Sequence, residues 1–92
     1  MFAVAFDLDC AATQANHPKS LPQAYADIAG VLVKHGFRWE QGSLYLTNDE
    51  SMANLFLALQ ALKTMPWFPA SVRDIRAFRV EQWSDFTAVV KQ

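Results

Sequence analysis

The chain has 92 residues, of which 52% are hydrophobic, enough for the core of one small domain and evidence against disorder. Its 8 basic and 9 acidic side chains give a net charge of −1, which excludes a protein that coats DNA by bulk charge. The lone cysteine, Cys10, excludes an intrachain disulfide. There is no basic n-region and no apolar run near the ~20 residues of a membrane span, so we expect a cytoplasmic protein.

The first segment, from Phe2 to Asp9, alternates in the manner of a β-strand. One face is bulky and apolar, and the other is small and then acidic, because successive side chains of a strand point to opposite sides. The apolar set is Phe2, Val4, Phe6 and Leu8, and the other set is Ala3, Ala5, Asp7 and Asp9.

Two helices and a hairpin are predicted next. A loop over residues 10–19 leads to Ser20, which caps a helix that ends near His35 before Gly36. Residues 37–40 and 43–47 form a hairpin around the Gln41-Gly42 turn. A second helix opens at Asn48 and Asp49, with Thr47 and Glu50 spaced like a capping box.

The C-terminal third adds an aromatic-rich turn at residues 65–69, a strand from Val72 to Glu81 and a short helix capped by Ser84. The pattern of the fourth strand does not show which of its side chains face the core, since its arginines are mixed among apolar residues. A β-bulge would explain this pattern, but the sequence does not give its position.

The predicted order is β-α-β-β-α-β with a terminal helix, which is a ferredoxin-like α+β domain spanning residues 1–92 with a four-stranded antiparallel sheet. Two helices cover one face of the sheet and leave the other bare. Ala3 and Ala5 would let a second sheet approach that bare face closely, so we expect a homodimer that buries the open faces or the sheet edges.

Asp7 and Asp9 are the leading candidates for chemistry. Both lie at the C-terminal end of the first strand on the same face, and paired carboxylates can hold Mg²⁺ or act as general base and orienting group. The alternative is that they are ordinary polar residues at a strand end.

A basic track of arginines is the candidate RNA-binding surface, because arginine can bind phosphate in a bidentate manner. Exposed aromatic rings could stack on bases, and Ser43 could contact a phosphate. The alternative is that the arginines pair with surface acids and the rings lie in the core. The candidates are Arg38, Arg73, Arg76 and Arg79 for the track, and Tyr45, Trp39 and Trp67 for stacking. No catalytic role is assigned to His17, His35 or Cys10.

Three blocks of the sequence resemble the virulence-associated protein D family. They are Met1 to Leu8, Gly36 to Tyr45, and a third that contains Trp67-Phe68, Ser71 to Glu81 and Ser84 to Thr87. They keep the family's order and approximate spacing over nearly the whole chain. The loop from Cys10 to Lys19 is the part least similar to the family.

The resemblance implies a ferredoxin-like dimer, kinship with the small CRISPR adaptation protein, and an endoribonuclease that cuts single-stranded RNA or mRNA, in some members as the toxin of a toxin–antitoxin pair. It places the key acidic residue at Asp7, with Asp9 as the second acidic candidate. Two mechanisms stay open. Either Asp7 of both subunits holds a divalent metal such as Mg²⁺, or an acid deprotonates the ribose 2′-OH without metal. In either case Arg73 or Arg76 stabilises the developing charge.

A catalytically inactive dimeric scaffold that keeps the nuclease fold is the competing hypothesis. The two hypotheses differ at Asp7, which the nuclease requires and the scaffold does not.

Overall fold

A four-stranded antiparallel sheet organises the chain, and the computed structural model describes it from residue 1 to residue 92. The strand order is β2-β3-β1-β4. With the long helices α2 and α3 on the two crossover connections, this confirms the predicted ferredoxin-like fold. The elements are β1 (Phe2–Leu8), α1 (Cys10–Asn16), α2 (Leu21–Lys34), β2 (Arg38–Gln41), β3 (Leu44–Thr47), α3 (Met52–Lys63), α4 (Phe68–Ser71), β4 (Val72–Arg79) and α5 (Thr87–Val90).

The apolar face of β1 forms the centre of the core, as its alternation predicts. Phe2, Val4, Phe6 and Leu8 are all buried against the helices. They pack with Ala24, Ile28 and Leu32 of α2 and with Leu55, Ala58 and Leu62 of α3. Burial of this apolar surface on one side of the sheet fixes which face of β1 is left to carry Asp7.

A β-bulge in β4 settles the facing of that strand. Asp7 pairs with Asp74 and Leu8 pairs with Val72, so Arg73 is an extra residue in the ladder. Phe78 and Arg76 lie opposite Ala3 and Ala5. The face of β4 that carries Asp74, Arg76 and Phe78 is therefore the face turned away from the helices.

The start of α2 and the hairpin form as predicted. The Ser20 hydroxyl accepts a hydrogen bond from the amide of Gln23 at 3.2 Å. Gly36 ends the helix with a φ of 85°, and Gly42 has a φ of 48° in the hairpin turn. Both glycines occupy the left-handed region, which other residues enter at a cost.

The prediction of a loop over residues 10–19 is wrong for its first part, which forms α1. The Asp9 carboxylate accepts the amide of Ala12 at 2.9 Å and so caps this helix. The segment is rich in alanine, the best helix former, and the buried Thr13 anchors it by donating its hydroxyl to the Asp9 carbonyl at 2.7 Å.

The predicted beginning of α3 is also wrong. Ser51, not Asn48 or Asp49, is the N-cap, and its hydroxyl accepts the amide of Asn54 at 3.2 Å. Asp49 instead accepts the amide of Ser51 at 2.8 Å, which makes a turn before the helix. Glu50 does not complete a capping box, because its carboxylate pairs with the N-terminal ammonium and with Arg79.

The second face of the sheet is not wholly bare, in contrast to the prediction. Ala3 and Leu46 are fully buried there, and residues 83–87, 90 and 91 line a depression with Glu40 and Gln41. Since β4 and β2 are opposite edges of the sheet, the C-terminal segment crosses this face.

The terminal helix α5 begins two residues later than predicted, with Phe86 rather than Ser84 at the N-cap position. Asp85 rather than Ser84 accepts the amide of Thr87, at 2.9 Å. Across the whole chain, no helix is long and apolar enough to cross a membrane.

Candidate active site

Asp7 and Asp9 meet at the C-terminal end of β1, where one arginine reaches both. The Arg73 guanidinium lies 3.7 Å from Asp7 Oδ2 and 3.3 Å from Asp9 Oδ2. Asp9 is no longer part of the strand, but its extended backbone, with φ −78° and ψ 112°, keeps its carboxylate beside that of Asp7. The structure thus brings together three of the residues that the sequence proposed.

The bulge in β4 places Arg73 at this point. Without the extra residue, strand alternation would put Arg73 on the face opposite to that of Asp74. The guanidinium instead reaches the two carboxylates that end β1. Sequence reasoning proposed the arginine but not its partners, because the position of a bulge has no simple signature in a sequence.

Asp74 is a residue of this site that sequence reasoning missed. It lies directly opposite Asp7 in the β1–β4 ladder, and like charges in that arrangement repel. Its carboxylate holds Arg76, whose Nε lies 3.2 and 3.0 Å from the two oxygens. Strand alternation was the sequence signal that could have found Asp74, because side chains two residues apart share a face, and this places Asp74 and Arg76 on the face of Phe78.

Asp7 is the least engaged of the three carboxylates. Its side chain is 62% exposed, and its ion pair with Arg73 is the longest in this cluster. Asp7 borders a shallow depression of about 170 Å³ that is also lined by Ala5, Phe6, Asp74 and Arg76. An exposed carboxylate flanked by two arginines can accept a proton while the arginines contact an anion.

Asp9 is held in its charged form by its neighbours. The hydrogen bond from the Ala12 amide, followed by the hydrogen bond from Arg73, lowers the pKa of Asp9 below its ordinary value of 3.8. One oxygen accepts the Ala12 amide and the other accepts Arg73, so each oxygen of Asp9 already accepts one hydrogen bond from the protein.

The structure divides the predicted basic track. Arg38 lies on β2, at the opposite edge of the sheet from β4, and pairs with Glu40 at 2.8 Å. Arg79 turns to the helix side, where its guanidinium lies 5.0 Å from the centre of the Phe2 ring. Only Arg73 and Arg76 accompany Asp7.

Two of the proposed stacking rings are in the core, which corrects the prediction. Tyr45 is 5% exposed and lies against Phe6, with ring centres 6.3 Å apart, and burial raises its pKa. Trp67 is 7% exposed. Apolar packing explains both positions, and neither ring has a free face for a base. Trp39 is exposed, and its indole donates to the carbonyl of Gly42 at 2.9 Å.

Ser43 lies next to β1 in the sheet, although it is distant from the acidic cluster along the chain. Its carbonyl accepts the amide of Phe6 at 3.2 Å, next to the Ala5–Leu44 pair. Ser43 belongs to the hairpin turn just before β3, and its role as a phosphate contact stays a prediction.

His17 is a buried structural residue. Its Nε2 lies 2.8 Å from Asp27 Oδ2, and its Nδ1 accepts the amide of Lys19 at 3.0 Å. Since Nδ1 accepts a hydrogen bond, Nε2 carries the ring proton and donates a hydrogen bond to the Asp27 carboxylate. The ring also packs edge-on against Trp67, with centres 4.8 Å apart. This network fixes the turn between α1 and α2 and lies apart from the acidic cluster.

The side chains of one chain do not fit a complete metal centre. No three histidine, cysteine, aspartate or glutamate side chains form a group that could hold an ion. Arg73 occupies the space between Asp7 and Asp9 with positive charge, which opposes a cation at that position.

Several curated proteins are similar to this chain over nearly its full length. A protein named "Endoribonuclease VapD homolog" from Neisseria gonorrhoeae is 63% identical over 91 residues, which cover 99% of each chain. "Endoribonuclease VapD" of Haemophilus influenzae is 57% identical over the same share of both chains. The protein of that name from Dichelobacter nodosus is 48% identical over 99% of this chain and 98% of its own.

No protein-family model matches the chain. The curated relatives nevertheless confirm the resemblance of the three sequence blocks. The identities of 48–63% extend over almost every residue of this chain and of each relative, so the similarity covers the whole domain. This chain belongs to the VapD family.

Proposed function

We propose that this protein is an endoribonuclease that cuts single-stranded RNA, with Asp7 as its key acidic residue. The names of its relatives support the reaction class. The observation that carries the assignment to Asp7 is its exposed carboxylate, which lies beside Arg73 and Asp74 at the end of β1. Substrate RNA is polyanionic, and Arg73 and Arg76 are the cations at this place.

The residues favour the mechanism without metal. Asp7 takes the proton of a ribose 2′-OH, whose oxygen then bonds to the adjacent phosphorus. The bond from phosphorus to the 5′-oxygen breaks, and that oxygen leaves with a proton from solvent as a 5′-hydroxyl. The other product ends in a 2′,3′-cyclic phosphate. Arg73 and Arg76 stabilise the extra negative charge of the phosphorane.

In the alternative route with Mg²⁺, Asp7 side chains of two subunits would share the ion. One chain supplies a single loosely held carboxylate, and a magnesium site normally takes one or two carboxylates together with water and phosphate oxygens. Two Asp7 side chains meeting in a homodimer would complete such a set. This arrangement is a proposal that chelation by EDTA tests directly.

A homodimer and, for a toxin role, a small antitoxin protein are the proposed partners. Support for a dimer comes from apolar side chains left in solvent on the C-terminal segment and on α3, since large exposed apolar patches usually mark interfaces. Phe86, Val89 and Val90 are each more than 60% exposed, and Phe56 and Leu57 are more than 55% exposed.

The test is to incubate purified protein with total RNA and with a defined single-stranded RNA, in Mg²⁺ and in EDTA. Asp7→Asn is prepared in parallel and checked for an unchanged melting temperature. We expect the wild type to cut in both buffers, to leave cyclic phosphate ends, and to lose cutting in the variant. Loss of cutting in EDTA would instead establish the metal mechanism.

Two results contradict the proposal. Equal cutting by wild type and Asp7→Asn means that Asp7 is not the key residue or that a contaminating nuclease is present. The absence of cutting by the wild type on every RNA favours the inactive scaffold.

A further inference from the structure

We propose that Asp9 is a positioning residue, which acts on the reaction by holding the Arg73 guanidinium beside Asp7. The inference rests on the proposed RNA cleavage and assigns to Asp9 a role that differs from that of a second catalytic acid. It follows from how Asp9 is anchored, from what its oxygens bind, and from the geometry of Arg73.

The main chain of Asp9 is fixed on both sides. Its amide donates to the carbonyl of Ser71 at 2.9 Å, which ties it to the residue just before β4. Its carbonyl accepts the Thr13 hydroxyl at 2.7 Å and the Thr13 amide at 2.8 Å. Ser71 and Thr13 are both fully buried. Asp9 is thus a rigid point at the junction of β1, α1 and β4.

Both oxygens of the Asp9 carboxylate are engaged by donors from the protein. Oδ1 accepts the Ala12 amide at 2.9 Å and Oδ2 accepts Arg73 Nη2 at 3.3 Å. Each oxygen keeps a second lone pair, but Asp9 is committed to two protein donors, whereas Asp7 has only its long contact with Arg73. The same two bonds make Asp9 a suitable anchor for a guanidinium.

Arg73 needs such an anchor. It protrudes from a bulge, its side chain is 63% exposed, and its other carboxylate contact, to Asp7, is long at 3.7 Å. An exposed arginine with one long contact samples many rotamers. The Asp9 carboxylate restricts the rotamers of Arg73 and holds its positive charge next to Asp7. The Asp7 carboxylate stays accessible, because its own contact with Arg73 is long.

Asp9→Asn is the informative substitution, because asparagine keeps an oxygen for the Ala12 amide and is an equally good N-cap. We expect an unchanged melting temperature and single-turnover cleavage that is about tenfold slower, since small displacements of a catalytic group cost that much. In an Arg73→Ala background, Asp9→Asn should change the rate by less than about twofold, because the partner through which it acts is gone.

A second readout does not depend on cleavage. The Nη–H signals of Arg73 in a ¹⁵N NMR spectrum, assigned by their loss in Arg73→Lys, should move to the position of free arginine in Asp9→Asn. Asp74→Asn is the matched control, since it releases Arg76 and should leave the Arg73 signal in place.

Three outcomes would overturn the inference. They are an Arg73 signal that Asp9→Asn does not move, a wild-type cleavage rate in Asp9→Asn, or a further loss of rate in the Arg73→Ala background. If wild-type protein cuts no RNA at all, the proposed function fails, and the NMR experiment alone still decides whether Asp9 positions Arg73.

Discussion

At the scale of single residues, the site depends on how three carboxylates share two arginines. Asp9 holds Arg73 and Asp74 holds Arg76, whereas Asp7 has only the long contact with Arg73. All of these groups are exposed, so their ion pairs add little to stability. Their arrangement matters for function because it leaves one carboxylate available between two positive charges.

Arg73→Ala should lower the cleavage rate by roughly 10- to 100-fold, since it removes a donor to the developing charge. Arg79→Ala is the matched control, because it removes the same charge from the same strand but on the helix side. Single-turnover rates on one defined RNA measure both. Equal losses in the two variants would mean that bulk charge, rather than the position of Arg73, promotes the reaction.

At the scale of elements, the sequence predicted the periodic segments well. The alternation of β1, the Ser20 cap and the Gly42 turn all correspond to local rules, and the structure confirms each of them. These features depend on neighbouring residues alone, which is why a single sequence reveals them.

The features that the sequence did not reveal depend on tertiary contacts. The loop prediction missed α1, although the Asp9 cap followed by alanines was an available signal. The bulge at Arg73 exists only relative to its partner strand β1. Tyr45 was proposed for the RNA surface because aromatic rings stack on bases. Its burial depends on the register of the hairpin against β1, which a single sequence does not reveal.

The position of the α3 cap gives a direct test at this scale. Ser51→Ala should lower the free energy of unfolding by about 1 kcal/mol, since it removes the acceptor of the Asn54 amide. Asn48→Ala should have almost no effect, because Asn48 only accepts a bond from the exposed Arg38. Urea unfolding measures the free energy of unfolding of both variants. A larger loss in Asn48→Ala than in Ser51→Ala would mean that the helix begins at Asn48 and contradict Ser51 as its N-cap.

At the scale of the whole molecule, acid should destabilise the fold in part through Asp27. The hydrogen bond from His17, and then that from Gln23, lowers the pKa of Asp27 below its ordinary value of 3.8. A carboxylate with a lowered pKa contributes stability above 3.8 and loses it as the pH falls through the folded value. Melting temperatures from pH 7 to pH 2 should therefore fall below about pH 4.

Asp27→Asn should make the melting temperature fall less steeply below about pH 4, and it should also lower the stability near pH 7. Asp85→Asn is a suitable control, because its carboxylate has a lowered pKa through contacts with the hydroxyl and amide of Thr87 in the C-terminal segment, away from the core. A fall that is equally steep in wild type and Asp27→Asn would show that other carboxylates carry the effect.

The proposed dimer also belongs to this scale. Sedimentation at increasing protein concentration should give twice the chain mass of 10.4 kDa. Phe86→Ser together with Val90→Ser should shift the equilibrium to monomer if the C-terminal segment is part of the interface. A wild type that sediments as a monomer at every concentration contradicts the dimer and with it a metal site shared by two Asp7 side chains.

The most direct test of the account is the single-turnover rate constant for one defined RNA, measured for wild type, Asp7→Asn and Glu40→Gln. Glu40 is a matched control, since it is a carboxylate on the far edge strand that pairs with Arg38. The account predicts that Asp7→Asn is at least about 100-fold slower at an unchanged melting temperature, while Glu40→Gln stays near the wild-type rate. A similar rate for all three proteins would contradict the central role of Asp7.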